Sequence, residues 1–189
     1  INVSSLRMDG YREHAEVEHD QIHGKFSYEI NENSDLTLIV NAFDSPIGNE
    51  AGGLTAEEVL IDRQQAGSRN LSSNTGEDLA QQKFGIVYNN SFDEHSSITL
   101  RSHGKHHTLD LVLPFGTHVP FAPDDGVKNI DRNFYGGGAQ YTPSGTLFGR
   151  PNQVTAGFDI DIQKDDRQRF LNNAGTKGAL SFDQMEEAE

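Results

Sequence analysis

Gln153-Val154-Thr155-Ala156-Gly157-Phe158-Asp159-Ile160-Asp161-Ile162-Gln163 is the stretch that decides the fold class. Val154, Ala156, Phe158, Ile160 and Ile162 take every second position, and polar or small residues fill the positions between. A period of two puts successive side chains on opposite faces of a β-strand. A helix would scatter the same residues around its circumference. The stretch therefore reads as a strand with one apolar face and one face polar enough to carry two carboxylates.

The same alternation recurs upstream. In residues 24–30, Phe26, Tyr28 and Ile30 alternate with Lys25, Ser27 and Glu29. Leu36, Leu38, Val40 and Ala42 share one face of residues 35–44, and Phe84, Ile86 and Tyr88 share one face of residues 82–90. The spacing predicts seven strands, over residues 1–9, 14–30, 36–44, 80–91, 97–113, 131–141 and 153–162. One helix is expected, over residues 55–64, where Thr55 and Glu58 form a capping box and Val59 and Leu60 offer a small apolar face.

Alternation alone fits either a soluble sandwich or a membrane barrel, because both have one wet and one dry face. Connection lengths separate them. Residues 31–35 and 92–95 are short turns. Residues 46–78 and 114–130 are long, 142–152 is intermediate, and the tail from Lys164 is long with no returning strand. Long loops at one end and short turns at the other are the habit of outer-membrane barrels. Loops beyond about 12–15 residues are uncommon in compact domains unless they carry function. The expectation is an all-β, antiparallel up-and-down sheet, part of a large transmembrane β-barrel, with one short loop helix.

Composition is consistent with this and excludes other classes. Hydrophobic residues make up only 34% of the 189, and the mean hydropathy is −0.64, so a soluble globule would have a thin core. No run approaches the ~18 apolar residues of a membrane helix, but barrel strands need apolar residues only at alternate positions. A net charge of −14 argues against a nucleic-acid partner, which wants a basic face. With no cysteine, disulfide scaffolds and thiolate metal sites are excluded. Ile1-Asn2-Val3 opens within a strand-like run, without the basic and apolar regions of a signal peptide.

Three segments carry a family resemblance. Asp9-Gly10-Tyr11-Arg12-Glu13-His14 resembles the tip of an early barrel hairpin in TonB-dependent siderophore receptors. Asn41-Ala42-Phe43-Asp44-Ser45-Pro46 followed by Ala51-Gly52-Gly53-Leu54-Thr55 resembles the strand end and glycine-bearing loop of iron-complex receptors. Asn133-Phe134-Tyr135-Gly136-Gly137-Gly138-Ala139-Gln140-Tyr141 is similar to a glycine-bearing barrel strand of the same proteins, and residues 159–169 continue the likeness. The resemblance implies residence in the outer membrane of a Gram-negative cell and contact with its lipid. It also implies a ferric siderophore or similar metal chelate as ligand, and TonB as the partner that reaches the intact receptor through a plug domain. It implies a barrel of about 22 strands, so residues 1–189 are expected to form part of one, with plug and closing strands outside them.

The candidate ligand residues come from Arg101-Ser102-His103-Gly104-Lys105-His106-His107. Strand geometry puts Arg101, His103, Lys105 and His107 on one face, opposite Ile98 and Leu100. A basic lumenal face near the outer rim would attract an anionic chelate, because concave clefts focus the field. A solvated face that balances an acidic chain is the plainer reading of the same residues. His103, His106 and His107 could converge on a metal only across a bulge, which the shift of apolar parity to Leu109, Leu111 and Leu113 suggests. His19 and His23 share a face but read as polar wall residues rather than a metal pair. Asp124-Asp125-Gly126 and Lys164-Asp165-Asp166 are acidic clusters without the spacing of a calcium loop. Gly136-Gly137-Gly138 lacks the strand-to-helix context of a phosphate loop and reads as a curved strand. No nucleophile elbow, zincin motif or P-loop is present, so the chain is expected not to be an enzyme, and no cofactor is called for. The rival to the receptor reading is a soluble β-sandwich that binds a polar ligand such as a carbohydrate.

Overall fold

A computed structural model describes residues 1–114 and 126–188. Nine strands form one antiparallel sheet: β1 (Asn2–Met8), β2 (Val17–Asn31), β3 (Ser34–Asn49), β4 (Gly76–Asp93), β5 (Ser96–Val112), β6 (Val127–Leu147), β7 (Arg150–Gln153), β8 (Ala156–Asn173) and β9 (Thr176–Ala188). Neighbours in sequence are neighbours in space, in the order β1-β2-β3-β4-β5-β6-β8-β9, with β7 paired to the far end of β6. The sheet is therefore an up-and-down meander, as the alternation predicts.

Three features differ from expectation. The strands run well past the apolar stretches that announce them. β8 continues to Asn173 and returns through Ala174 and Gly175, both with positive φ, into β9, so the tail from Lys164 is a hairpin rather than a loop. The segment 142–152 is a two-stranded ribbon of β6 and β7, turning at Phe148 and Gly149. A second short helix, α2 (Ser68–Ser73), follows the anticipated α1 (Ala56–Ile61). The expected turn at Asp124-Asp125-Gly126 falls largely outside the described residues, as does His118.

Register explains why the two faces differ. Tyr28, Leu36, Tyr88, Leu100, Ala139 and Phe158 lie on one continuous rung across β2, β3, β4, β5, β6 and β8. Phe26, Leu38, Ile86, Ser102, Gly137 and Ile160 form the next, and Gly24, Val40, Phe84, Gly104, Tyr135 and Ile162 the one after. These rungs make an apolar band. Its side chains are open: Phe158 is 63% and Ile160 60% exposed. Among the described residues only Ala66 and Val127 are buried hydrophobics, and no second sheet covers the band. Nothing in this arrangement resembles a sandwich core. Where the band meets Gly104, the Phe84 ring fills the space of the absent side chain; a Cβ there would stand 2.4 Å from the ring. Such an aromatic cover shields a strand glycine's backbone.

The long-loop end is stitched together. Arg12, at the β1–β2 tip, donates to the carbonyls of Gln65 (3.0 and 2.9 Å), Gly52 (2.5 Å) and Ala51 (3.3 Å). His14, held at φ 56°, donates from Nε2 to the Thr75 carbonyl at 2.7 Å. Buried Asn70 donates to the Glu50 carbonyl and to Thr75 Oγ1, and Thr75 Oγ1 donates to the Glu50 carbonyl in turn. Gly52, at φ +69°, packs against Asn70 so closely that a Cβ would sit 2.1 Å from its Oδ1. From the other side Asn172 donates to the carbonyls of Ser73 and Leu113. The loop over residues 50–75 is thus bonded to the tips of two separate hairpins. α1 carries the expected capping box, with Glu58 N–H donating to Thr55 Oγ1 and Thr55 N–H to Glu58 Oε2.

Candidate ligand-binding face

Arg101, His103, Lys105 and His107 do share the polar face of β5, and their partners divide them. Arg101 forms a fork with Asp159, Nε to Oδ1 at 2.8 Å and Nη2 to Oδ2 at 2.6 Å. His103 Nε2 lies 3.0 Å from Asp161 Oδ1, and its ring stacks on Phe134. Both contacts run from β5 to β8, across the whole of β6. They are possible because the residues beneath them are Gly138 and Gly136. A Cβ on Gly138 would stand 2.1 Å from Asp159 Oδ1, and one on Gly136 would stand 2.0 Å from Asp161 Oδ1 and 3.0 Å from His103 Nε2. The glycine run is a gap through which a strand's two neighbours touch. Arg101 is thereby a neutralised cation.

Lys105 and His107 lie beyond these pairs, towards the long loops. Lys105 faces Lys83 directly across the β4–β5 rung, so two ammonium groups oppose each other. His107 sits three residues past the end of the apolar band. Burial, with Lys105 and Arg132 nearby, pushes its imidazole below the ordinary range, and its Nδ1 is buried without a hydrogen-bond partner. On the same rung Arg132 forks onto Asp165, Nε to Oδ1 at 2.7 Å and Nη2 to Oδ2 at 2.6 Å. Asp165 is 2% exposed, and the Arg132 hydrogen bond holds its carboxyl below the usual carboxylate range. Arg167 adds a looser contact to Asp165 at 3.6 Å and a closer one to Glu186 at 3.1 Å.

The bulge expected in β5 is absent. From Ser97 to Val112 β5 keeps unbroken register with β4, and from Ser96 with β6. Leu109 and Leu111 therefore belong to the polar face with His107, so the change in apolar parity is a change in what that face carries. His106 points to the opposite face, with its Nδ1 3.0 Å from Asn133 Oδ1. The three histidines do not converge. On β2, His19 packs against the Phe43 ring at 5.3 Å.

Register reveals five cations that sequence reasoning missed: Lys83, Lys128, Arg132, Arg167 and Arg169. With Lys105 they populate the polar face of β4, β5, β6 and β8 beyond Asp161, where Glu77, Asp165 and Glu186 are the acidic residues. At the same level the other face carries Asp44, Asp78, Asp110, Asp131 and Asp166. Burial and the charges of Asp110 and Asp44 raise the Asp78 carboxyl. The signal was available in the two-residue spacing of Lys128, Ile130 and Arg132, and of Asp165, Arg167 and Arg169. It was invisible to a reading that began one strand at residue 131 and ended the other at residue 162.

No family model matches the sequence. The fold is similar to that in the crystal structure of the ferric citrate transporter FecA in its unliganded form, with a TM-score of 0.68 over 93% of this chain at 16% identity. The chain spans 25% of the length of that structure. The likeness establishes the fold: an antiparallel sheet built like part of a large β-barrel.

Proposed function

We propose that this chain is part of the wall of an outer-membrane receptor that binds and actively imports a scarce nutrient. The ligand is a metal chelate, in the first place a ferric siderophore, and TonB supplies energy through a plug domain in the intact protein. The role is transport and not catalysis. One observation carries the reading: an open apolar band lies opposite a charged face, with the long loops gathered at one end.

The band has the dimensions of a lipid-facing wall. Ile22 to Ile30 on β2 cover about 27 Å of strand, or about 20 Å of height at a barrel tilt of about 40°. That is close to the ~25 Å apolar belt of such barrels. In water a band of this size would be a liability, and in hydrocarbon it is the stable arrangement. The polar face would then line the lumen, and its basic excess near the long loops would draw an anionic chelate inward. The ferric citrate transporter of similar fold supports the class of cargo.

Fractionation tests the location. The full-length protein is expected in the outer-membrane fraction, and recovery in the soluble fraction would refute the proposal. Growth tests the cargo: cells lacking the gene, starved of iron, should fail to use at least one ferric siderophore. Unimpaired use of every one offered would remove the siderophore and leave another chelate or nutrient.

A further inference from the structure

We infer that Lys83 and Lys105, opposed on β4 and β5, are the two arms of a binding site for an oxyanion group, set over a recess at Gly85. The carrier of that group, a soluble metal chelate, rests on the receptor reading. The anion chemistry rests on register and charge. The two lysines face each other on one rung of the polar face, between Asn41 on β3 and Phe134 on β6. Residues so opposed hold their Cβ atoms about 4.5–5.5 Å apart, and like charges there destabilise the pairing. Among the described residues neither lysine has a hydrogen bond or an ion pair.

The cations on either side are matched by the wall itself. Arg101 and His103 meet Asp159 and Asp161, and Arg132 meets Asp165. The lysine rung has no such partner: it continues through His23 on β2 and Gln163 on β8, and no acidic residue stands on it. Space is present as well. Gly85 follows Lys83 on the same side of β4, and a Cβ there would meet nothing closer than 4.0 Å. The space over Gly136 and Gly138, by contrast, is taken by Asp161 and Asp159. Lys83 is exposed and Lys105 half-buried, so both ammoniums are reachable. Each carries three donors on a flexible stem, and both can turn onto one oxyanion. An anion held between them removes the repulsion and forms charge-assisted hydrogen bonds in its place.

Calorimetric titration of the full-length protein in detergent tests this at low ionic strength, where screening is weak, with citrate and inorganic phosphate as separate probes. At least one should bind the parent protein. Lys83→Gln and Lys105→Gln should each weaken it about tenfold, the worth of one charge-assisted hydrogen bond. Both variants remove a repulsion and should unfold no earlier than the parent. Lys83→Glu supplies the missing carboxylate from within: it should pair with Lys105, keep the fold and bind neither probe. Kept stability with lost binding is not the signature of a folding defect. Lys25→Gln, on the same face opposite Ile39, should bind as the parent does. Failure of the parent to bind either probe, or an affinity unchanged in the two glutamine variants, overturns the site. Fractionation separates it from the receptor reading. A full-length protein found in the outer membrane that binds neither probe would sink the site and spare that reading. Binding lost in the lysine variants of a protein recovered from the soluble fraction would do the reverse.

Discussion

The two halves of β8 are built on opposite principles within one continuous strand. From Ala156 to Ile162 it alternates apolar with polar, and its apolar side chains stand open on the band. From Lys164 to Arg169 both faces are polar, and order comes from paired charges: Lys164 with Glu187, Asp165 with Arg132, and Arg167 with Glu186. The first half leaves its apolar side chains uncovered. The second needs only its neighbours. On the proposed receptor reading, that change along one strand is where lipid gives way to water.

The largest expected effect separates the halves directly. Ile160→Arg should cost about 2–4 kcal/mol of barrel stability in lipid, the range for a charge on the lipid face near the midplane. Gln168→Arg, eight residues on and on the same face, should cost under about 1 kcal/mol. Urea titrations of the full-length protein refolded into bilayers would measure both, and equal costs would erase the boundary drawn here. Next comes Asp165→Ala, which strands Arg132 and Arg167 without their shared carboxylate. Because Arg132 retains some contact with water, the expected loss is about 2–3 kcal/mol, below that for a fully buried pair. Asp165→Asn, which keeps the shape, should restore less than half of it.

Gly138→Ala sharpens the comparison on the banded half. The new methyl would collide with Asp159 and expel it from the Arg101 fork, at about 1–2 kcal/mol. Gly145→Ala, where a Cβ meets nothing within 4 Å, is the matched control and should be silent. The smallest effect concerns acidity at the loop end. Hydrogen bonds from the Thr55 backbone and side chain lower the Glu58 carboxyl. A lowered folded-state pKa gives stability that is present above the unfolded value and is lost as pH falls through the folded one. The protection of the α1 amides, corrected for intrinsic exchange, should therefore fall as pH drops below the ordinary glutamate range; Thr55→Ala, which keeps the backbone N–H, should weaken that dependence and Glu58→Gln should abolish it.

What the sequence made legible followed its apolar periodicity. Phe158, Ile160 and Ile162 announce a strand because one face needs hydrocarbon or a core. Lys164 to Arg169 announce nothing, because both faces are wet and the strand is held by partners on β6 and β9 that lie tens of residues away. The same blindness placed residues 127–130 and 142–152 in loops. α1 was visible through its cap, whereas α2, with Ser-Arg-Asn-Leu-Ser-Ser and buried Asn70, carries no helical periodicity. At the candidate face, parity alone grouped Arg101, His103, Lys105 and His107 correctly. It could not show that Asp159 and Asp161 reach the first two through the gaps at Gly138 and Gly136, since that requires knowing which strand lies between. The basic rim of Lys128, Arg132, Arg167 and Arg169 was hidden for the same reason.

The clasp formed by Arg12, His14 and Asn172 has a geometric consequence. The β1–β2 tip and the β8–β9 tip both bond to the one loop over residues 50–75, although five strand positions separate β2 from β8 in the sheet. A loop tied to two points on an arc acts as its chord. At roughly 4.8 Å per strand spacing, β2 and β8 stand about 24 Å apart along the sheet, and the chord fixes how sharply the arc bends between them. Curvature at this mouth is thus set by side-chain bonds to carbonyls as well as by strand twist. Release of the whole β1–β2 tip, Arg12 and His14 together, would let one end of the arc open while Asn172 keeps the other drawn in.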